Sequence, residues 1–166
     1  NELDTIQVCH AFIDMQREYA EIDRDGDGLL EYSDRLVSTP GKHDGLYWPT
    51  QAGETPSPAG PRLANASPQK LAARTGATPF HGYYFRVLTA QGPHAPGGAR
   101  EYRVAGQLIG GVALIAWPAN YRSSGVKTFL CGLSGIVFER DFGEHTAAAV
   151  AKIRAYDPGP GWARTD

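Results

Sequence analysis

Between Asp23 and Asp34 the chain reads D-R-D-G-D-G-L-L-E-Y-S-D, with a carboxylate at every second position until the sequence reverses at Gly28. That spacing suits a hard cation, because calcium takes about six to eight oxygens and a short loop must deliver them from alternate residues. On the twelve-residue calcium scheme the donors are Asp23, Asp25, Asp27, the Leu29 carbonyl, Glu31 or a water it holds, and Asp34. The closing position normally carries a Glu that reaches back with both oxygens. The shorter Asp34 stands there, so affinity falls and magnesium competes. Without an ion the same residues make an acidic turn after a helix, since Asp and Gly accept left-handed dihedrals cheaply and the carboxylates face water. With no nucleophile beside it, such a cluster is structural rather than catalytic.

Other chemistry is poorly served. His10, His43, His81, His94 and His145 are far apart and never at the spacing that marks zinc. Cys9 and His10 are neighbours, and neighbours on a helix point about 100 degrees apart, so adjacency does not make them nucleophile and base. Ser123-Ser124-Gly125 is followed by a strand-like stretch, not by the helix of a nucleophile elbow. No catalytic residue is therefore assigned. With a net charge of -2 and scattered Lys and Arg, nothing suggests a surface that tracks phosphates, and nucleic acid is not an expected partner.

The elements that must position the loop follow from periodicity. From Glu2 to Ile22 the apolar residues Val8, Phe12, Met15, Tyr19 and Ile22 recur at four- and three-residue steps, which predicts an amphipathic helix, with Asp4 as a candidate N-cap. It should stop at Asp25-Gly26, where glycine opposes continuation and the acidic loop repels the negative end of the helix dipole. Residues 38–79 are rich in Pro and Gly and predict a long irregular connection, broken by Leu46-Tyr47-Trp48 and by helix formers near Gln69 to Ala73. Tyr47 and Trp48 are read first as pins holding this connection to the core.

From His81 the period changes to two. Strands are predicted at Gly82–Thr89, Glu101–Val104, Gln107–Trp117, Gly125–Cys131 and Gly135–Asp141, with hairpin turns at Ala105-Gly106 and Gly132 to Gly135. The strand ending at Trp117 is apolar on both alternating sets, so it should lie centrally with both faces covered. Glu144 to Tyr156 predicts a second helix, ended by Pro158-Gly159-Pro160-Gly161. The expected fold is α+β: an N-terminal helix on an antiparallel sheet of about four or five strands, a long Pro/Gly-rich loop and a C-terminal helix. One domain of 166 residues is expected, divided as 1–37 helix and acidic loop, 38–79 loop, 80–142 sheet and 143–157 helix.

The longest apolar run, Leu108 to Ala119, contains glycines and falls short of a membrane span. The chain begins at Asn1 without a Met, which predicts an upstream segment lost to processing. The two cysteines are either buried thiols or a bridge. If the first helix packs across the sheet, Cys9 and Cys131 meet, and an exported protein would join them.

Asp44 to Pro49, His81 to Arg86, the run Gln91-Gly92-Pro93-His94-Ala95-Pro96-Gly97-Gly98, Ile109-Gly110-Gly111 and Ala116-Trp117-Pro118 together resemble the bacterial family catalogued as domain of unknown function 2950. The resemblance covers nearly the whole chain and implies an export signal and a periplasmic or envelope location. A looser similarity, carried by Tyr19-Ala20, Gly82 to Phe85, Gly125 to Phe129 and Ser134-Gly135-Ile136 in that order, is to the globular part of type IV pilin-like and pseudopilin-like proteins. The apolar first half of a pilin helix is missing from Asn1 onward, so the likeness concerns fold rather than filament.

These readings lead to an exported, non-enzymatic envelope module that acts by binding or assembly with an envelope partner and holds calcium in its acidic loop. One alternative is a periplasmic hydrolase of wall or polysaccharide substrates. Another is a glycan-binding module using Tyr47, Trp48, Tyr83 and Tyr84.

Overall fold

The computed structural model describes residues 1–60 and 79–165. Helix α1, Glu2–Tyr19, is followed by strands β1 Tyr83–Leu88, β2 Ala90–Gln91, β3 Arg100–Glu101, β4 Arg103–Val104, β5 Gln107–Leu108, β6 Ala113–Pro118, β7 Thr128–Gly132 and β8 Val137–Arg140. A single 3-10 turn at Gly143–His145 leads into α2, Thr146–Ala151, and β9, Ala163–Arg164, comes last. Five strands form one antiparallel sheet in the order β1-β6-β7-β8-β9, while β2-β3 and β4-β5 are separate two-stranded ladders.

α1 lies across β6, β7 and β8. Its ends are fixed by side chains: Glu2 Oε1 accepts from the Val126 and Lys127 amides at 2.8 and 3.0 Å, and Arg17 donates to the Leu133 carbonyl at 2.7 Å. The helix therefore runs alongside β7 from its entry to its exit. Cys9, Phe12, Ile13 and Met15 are buried beneath it, and burying each of the three larger ones stabilises the docked helix by about 1.5–3 kcal/mol. The helix ends at Tyr19, and Ile22, assigned to the apolar stripe, is half exposed. Asn1, not Asp4, is the N-cap; Asp4 instead holds His81 at 3.1 Å.

Residues paired across antiparallel strands share a face. Phe85, Ala116 and Phe129 align, as do Val87, Leu114, Cys131 and Val137, and this is the face under α1. The opposite face carries Arg86, Ile115, Leu130 and Phe138 in one row, covered in part by α2 on β6. β6 is central and buried on both sides, as its doubly apolar pattern requires.

Two departures have local causes. The expected strand Gln107–Trp117 breaks at Ile109-Gly110-Gly111, where both glycines lie against Tyr102, and its first part pairs with β4 in a hairpin of its own. The Ala105-Gly106 turn of that hairpin has both φ angles positive, at 51 and 81 degrees. The expected helix Glu144–Tyr156 stops at Ala151, because Tyr156 leaves to pair with the loop after β2: its amide donates to the Ala90 carbonyl and its carbonyl accepts from Gly92, both at 2.9 Å. Arg86 donates to the carbonyls of Val150 and Ile153 at the end of the shortened helix.

The connection 38–60 is tied down rather than loose. Val37 and Tyr47 form a parallel bridge, and Leu46, Trp48, Ser57 and Ala59 are buried. The helix formers near Gln69 to Ala73 lie outside the described residues. Cys9 and Cys131 do meet, with the Cys131 thiol donating to the Cys9 carbonyl at 3.9 Å. The expected bridge is not formed: both are free, wholly buried thiols. Burial pushes the Cys131 thiol well up, so the thiolate needed for exchange is suppressed where no oxidant reaches.

Candidate functional site

The acidic loop begins where α1 ends. Arg24 turns back to donate to the Tyr19 carbonyl at 3.1 Å and lays its guanidinium over the Tyr19 and Trp48 rings, which frees the next residues to reverse. Asp23 then organises the turn. Its two oxygens accept from the Gly26 amide at 2.9 Å and the Gly28 amide at 2.8 Å, while Asp25 and Asp27 accept from the amides two residues on. Gly26 and Gly28 have φ of 76 and 87 degrees, a conformation that a side chain would strain.

The outcome is convergence. Asp23, Asp25 and Asp27 each offer an oxygen, and these atoms all lie within 4.8 Å of one another. The Gly28 amide, with those of Gly26 and Asp27, holds the Asp23 carboxyl below its ordinary value. For Asp25 the Asp27 amide acts in the same direction, but desolvation and the flanking carboxylates leave it raised. Glu31 is raised first by burial and then by the charges of Asp25, Asp27 and Asp23, so its carboxyl senses the same cluster. One of its oxygens, Oε1, is shielded from solvent and has no hydrogen-bond partner. Glu31 thus feels the charge of the three aspartates, although its oxygens are not among the converged ones.

Asp34 does not join them. Its Oδ2 accepts from the Arg103 guanidinium at 2.6 Å, an ion pair that fixes the β4-β5 hairpin alongside the loop. Gln107 on the same hairpin donates to Asp27 Oδ2. Arg103 and Gln107 were invisible as site residues, since Arg103 stands 69 residues from Asp34 in sequence and no spacing rule connects them. The loop is closed at its far end by Gln16, a buried residue of α1. Its Oε1 accepts from the Ser33 amide at 2.9 Å and its Nε2 donates to the Ser33 carbonyl at 2.6 Å.

Beside the loop is a cleft of about 400 Å³ with Tyr19, Arg24, Asp25, Glu31 and His43 in its wall. His43 stacks on Trp48 with ring centroids 4.2 Å apart. Ile22, Leu29 and Leu30 stand exposed on the loop, and Val104 is exposed on the adjoining hairpin. Of the four aromatic residues proposed for glycan binding, Tyr47 and Trp48 line one cleft of about 490 Å³, and Tyr83 and Tyr84 lie apart from them on β1. Trp48 and Tyr83 are largely buried, with Tyr83 donating to the Lys127 carbonyl. Tyr84 packs on Trp117 across the sheet, and Tyr47 bridges to Val37 on the connection that carries Trp48.

Fold and site define an α+β domain whose N-terminal helix leads into an acidic loop braced by a β-hairpin. The chain belongs to the family described as protein of unknown function (DUF2950), whose model matches residues 1–165. No curated protein and no solved structure matches the chain. Among the described residues, no helix is long and apolar enough to cross a membrane.

Proposed function

We propose that this chain is an exported, non-enzymatic module of the cell envelope that acts by binding or assembly, and that a calcium ion closes the loop at the end of α1. The observation that carries the metal reading is the shielded, unpartnered Glu31 Oε1 beside the converged Asp23, Asp25 and Asp27. Export is carried over from the family resemblance, and the pilin-like part of the reading concerns the fold alone, a helix laid along an antiparallel sheet. The exposed Ile22, Leu29, Leu30 and Val104 support a contact surface at this end, because the ion would set the loop that carries three of them.

With Asp34 held by Arg103 the ion loses its closing ligand, which places the affinity at the weak, millimolar end of such loops. For a Kd of about 1 mM, calcium at about 10 mM stabilises the fold by about 1.4 kcal/mol. In a chain of this length that raises Tm by about 3–6 °C. Thermal melting with calcium, with magnesium and with chelator tests this. A rise with calcium that is lost in Asp25→Ala supports the site; a Tm unchanged across the calcium series removes it.

A further inference from the structure

A second cleft, of about 370 Å³, opens on the face of the sheet turned away from α1, with buried Leu130 in its floor. Its wall brings together Arg140 from β8, Lys152 and Arg154 from just beyond α2, and the rings of Phe142 and Trp162. None of the three cations forms an ion pair with any described residue. Asp157 is the carboxylate in the lining, and its Oδ1 lies 2.8 Å from the His94 amide nitrogen and 3.0 Å from the His94 ring Nδ1. Arg86 lies behind the cleft, close enough for Arg154 to add to the desolvation that lowers its basicity.

The cleft is built by two sequence runs that the acidic loop leaves unexplained. In Gln91 to Gly98, buried Gln91 donates to the carbonyls of Pro96 and Gly98 at 2.7 and 2.8 Å and accepts from Tyr102, so the loop is set from within and holds His94 at the rim. In Pro158 to Gly161, the backbone presses directly on the cleft. A Cβ at Gly159 would sit 2.6 Å from His94 Nδ1, and one at Gly161, where φ is 93 degrees, would sit 2.8 Å from Arg140 Cζ. Arg140 is thereby held over Phe142, 4.6 Å from the ring centroid, with Phe142 edge-on to Trp162 at 5.7 Å. Arg140 and the two rings are thus set by packing, and the exposed Lys152 and Arg154 add further positive charge to the wall.

We infer that this cleft binds a small anion whose oxyanion head, a carboxylate or a phosphate, is carried on a flat apolar body. Arginine forks match such heads in geometry, and a volume near the lower end of ligand sites limits the body to about one ring. The inference does not depend on calcium.

Phenyl phosphate and benzoate serve as probes of the two heads, with inorganic phosphate and benzyl alcohol as controls lacking body or charge, titrated into the full chain by calorimetry and by amide chemical shifts. Binding of phenyl phosphate or benzoate at least about tenfold tighter than either control, with shifts centred on residues 140–162, is expected. The exposed pair Lys152→Gln and Arg154→Gln should weaken it by about tenfold or more without lowering Tm, and Trp162→Ala should erase the advantage over inorganic phosphate. Failure of both probes at about 10 mM, or affinities unmoved in the double variant, overturns the site.

Discussion

Gln16→Met removes the clasp between α1 and the exit of the acidic loop while keeping the side chain's length and bulk. Gln16 is wholly buried and satisfies both backbone groups of Ser33, accepting at 2.9 Å and donating at 2.6 Å. The methionine supplies neither bond, so the Ser33 amide and carbonyl are left without partners at a site closed to water. Each orphaned group costs about 1–3 kcal/mol, and the thioether regains part of that through apolar burial. A net loss of about 2–4 kcal/mol is expected, lowering Tm by about 4–16 °C in a domain of this size. Urea unfolding followed by tryptophan fluorescence gives the free energy, and hydrogen exchange at the Ser33 amide reports the local opening. A loss below about 1 kcal/mol with the amide still protected would refute the clasp.

Further outcomes follow from other contacts. Asp34→Asn breaks the ion pair with Arg103 but leaves the Asp23, Asp25 and Asp27 cluster intact, so the calcium-dependent rise in Tm should persist where Asp25→Ala abolishes it; equal loss in both would return Asp34 to the ligand set. Gly125→Ala should destabilise by about 1–3 kcal/mol or more, since its Cβ would lie 2.7 Å from Cε2 of the buried Tyr83, and chemical denaturation at wild-type midpoint would contradict this. Ellman's reagent should find no reactive thiol in the native chain and both in denaturant, whereas none in denaturant would mean that Cys9 and Cys131 are joined. Burial raises the Asp44 carboxyl, but the Thr39 hydroxyl and amide with Arg35 outweigh it and hold it below its ordinary value. Its stabilising contribution is therefore present above the unfolded value and is lost as pH falls through the folded one. Asp44→Asn should flatten the stability profile in the acid range, and an unaltered profile counts against these bonds.

The long-period signals were the legible ones. The apolar recurrence through Phe12, Met15 and Tyr19 marked α1, and the doubly apolar β6 announced a central strand, because burial itself writes those patterns. Convergence of Asp23, Asp25 and Asp27 followed from local spacing and glycine placement. What spacing could not reveal was competition from distant partners. Arg103 claims Asp34, Tyr156 leaves α2 to pair beside Gln91, and Tyr102 packs where a long strand would have run straight. Trp48 reads first as a pin to the core and is buried there, whereas nothing in the spacing of Tyr83 tells a binding face from the core.

The sheet onto which α1 docks is encoded late, for β6 begins about ninety residues after the helix ends. During synthesis at about 5–20 residues per second, the helix waits roughly 5–20 s with Phe12, Ile13 and Met15 uncovered. Nascent chains are thus most exposed to sticking or to capture by a holdase before the meander emerges. Arrested ribosome complexes ending near residue 110 should be cut within α1 by protease, and those extending through β8 and clear of the exit tunnel should resist; protection of the shorter ones would mean that the helix finds cover earlier.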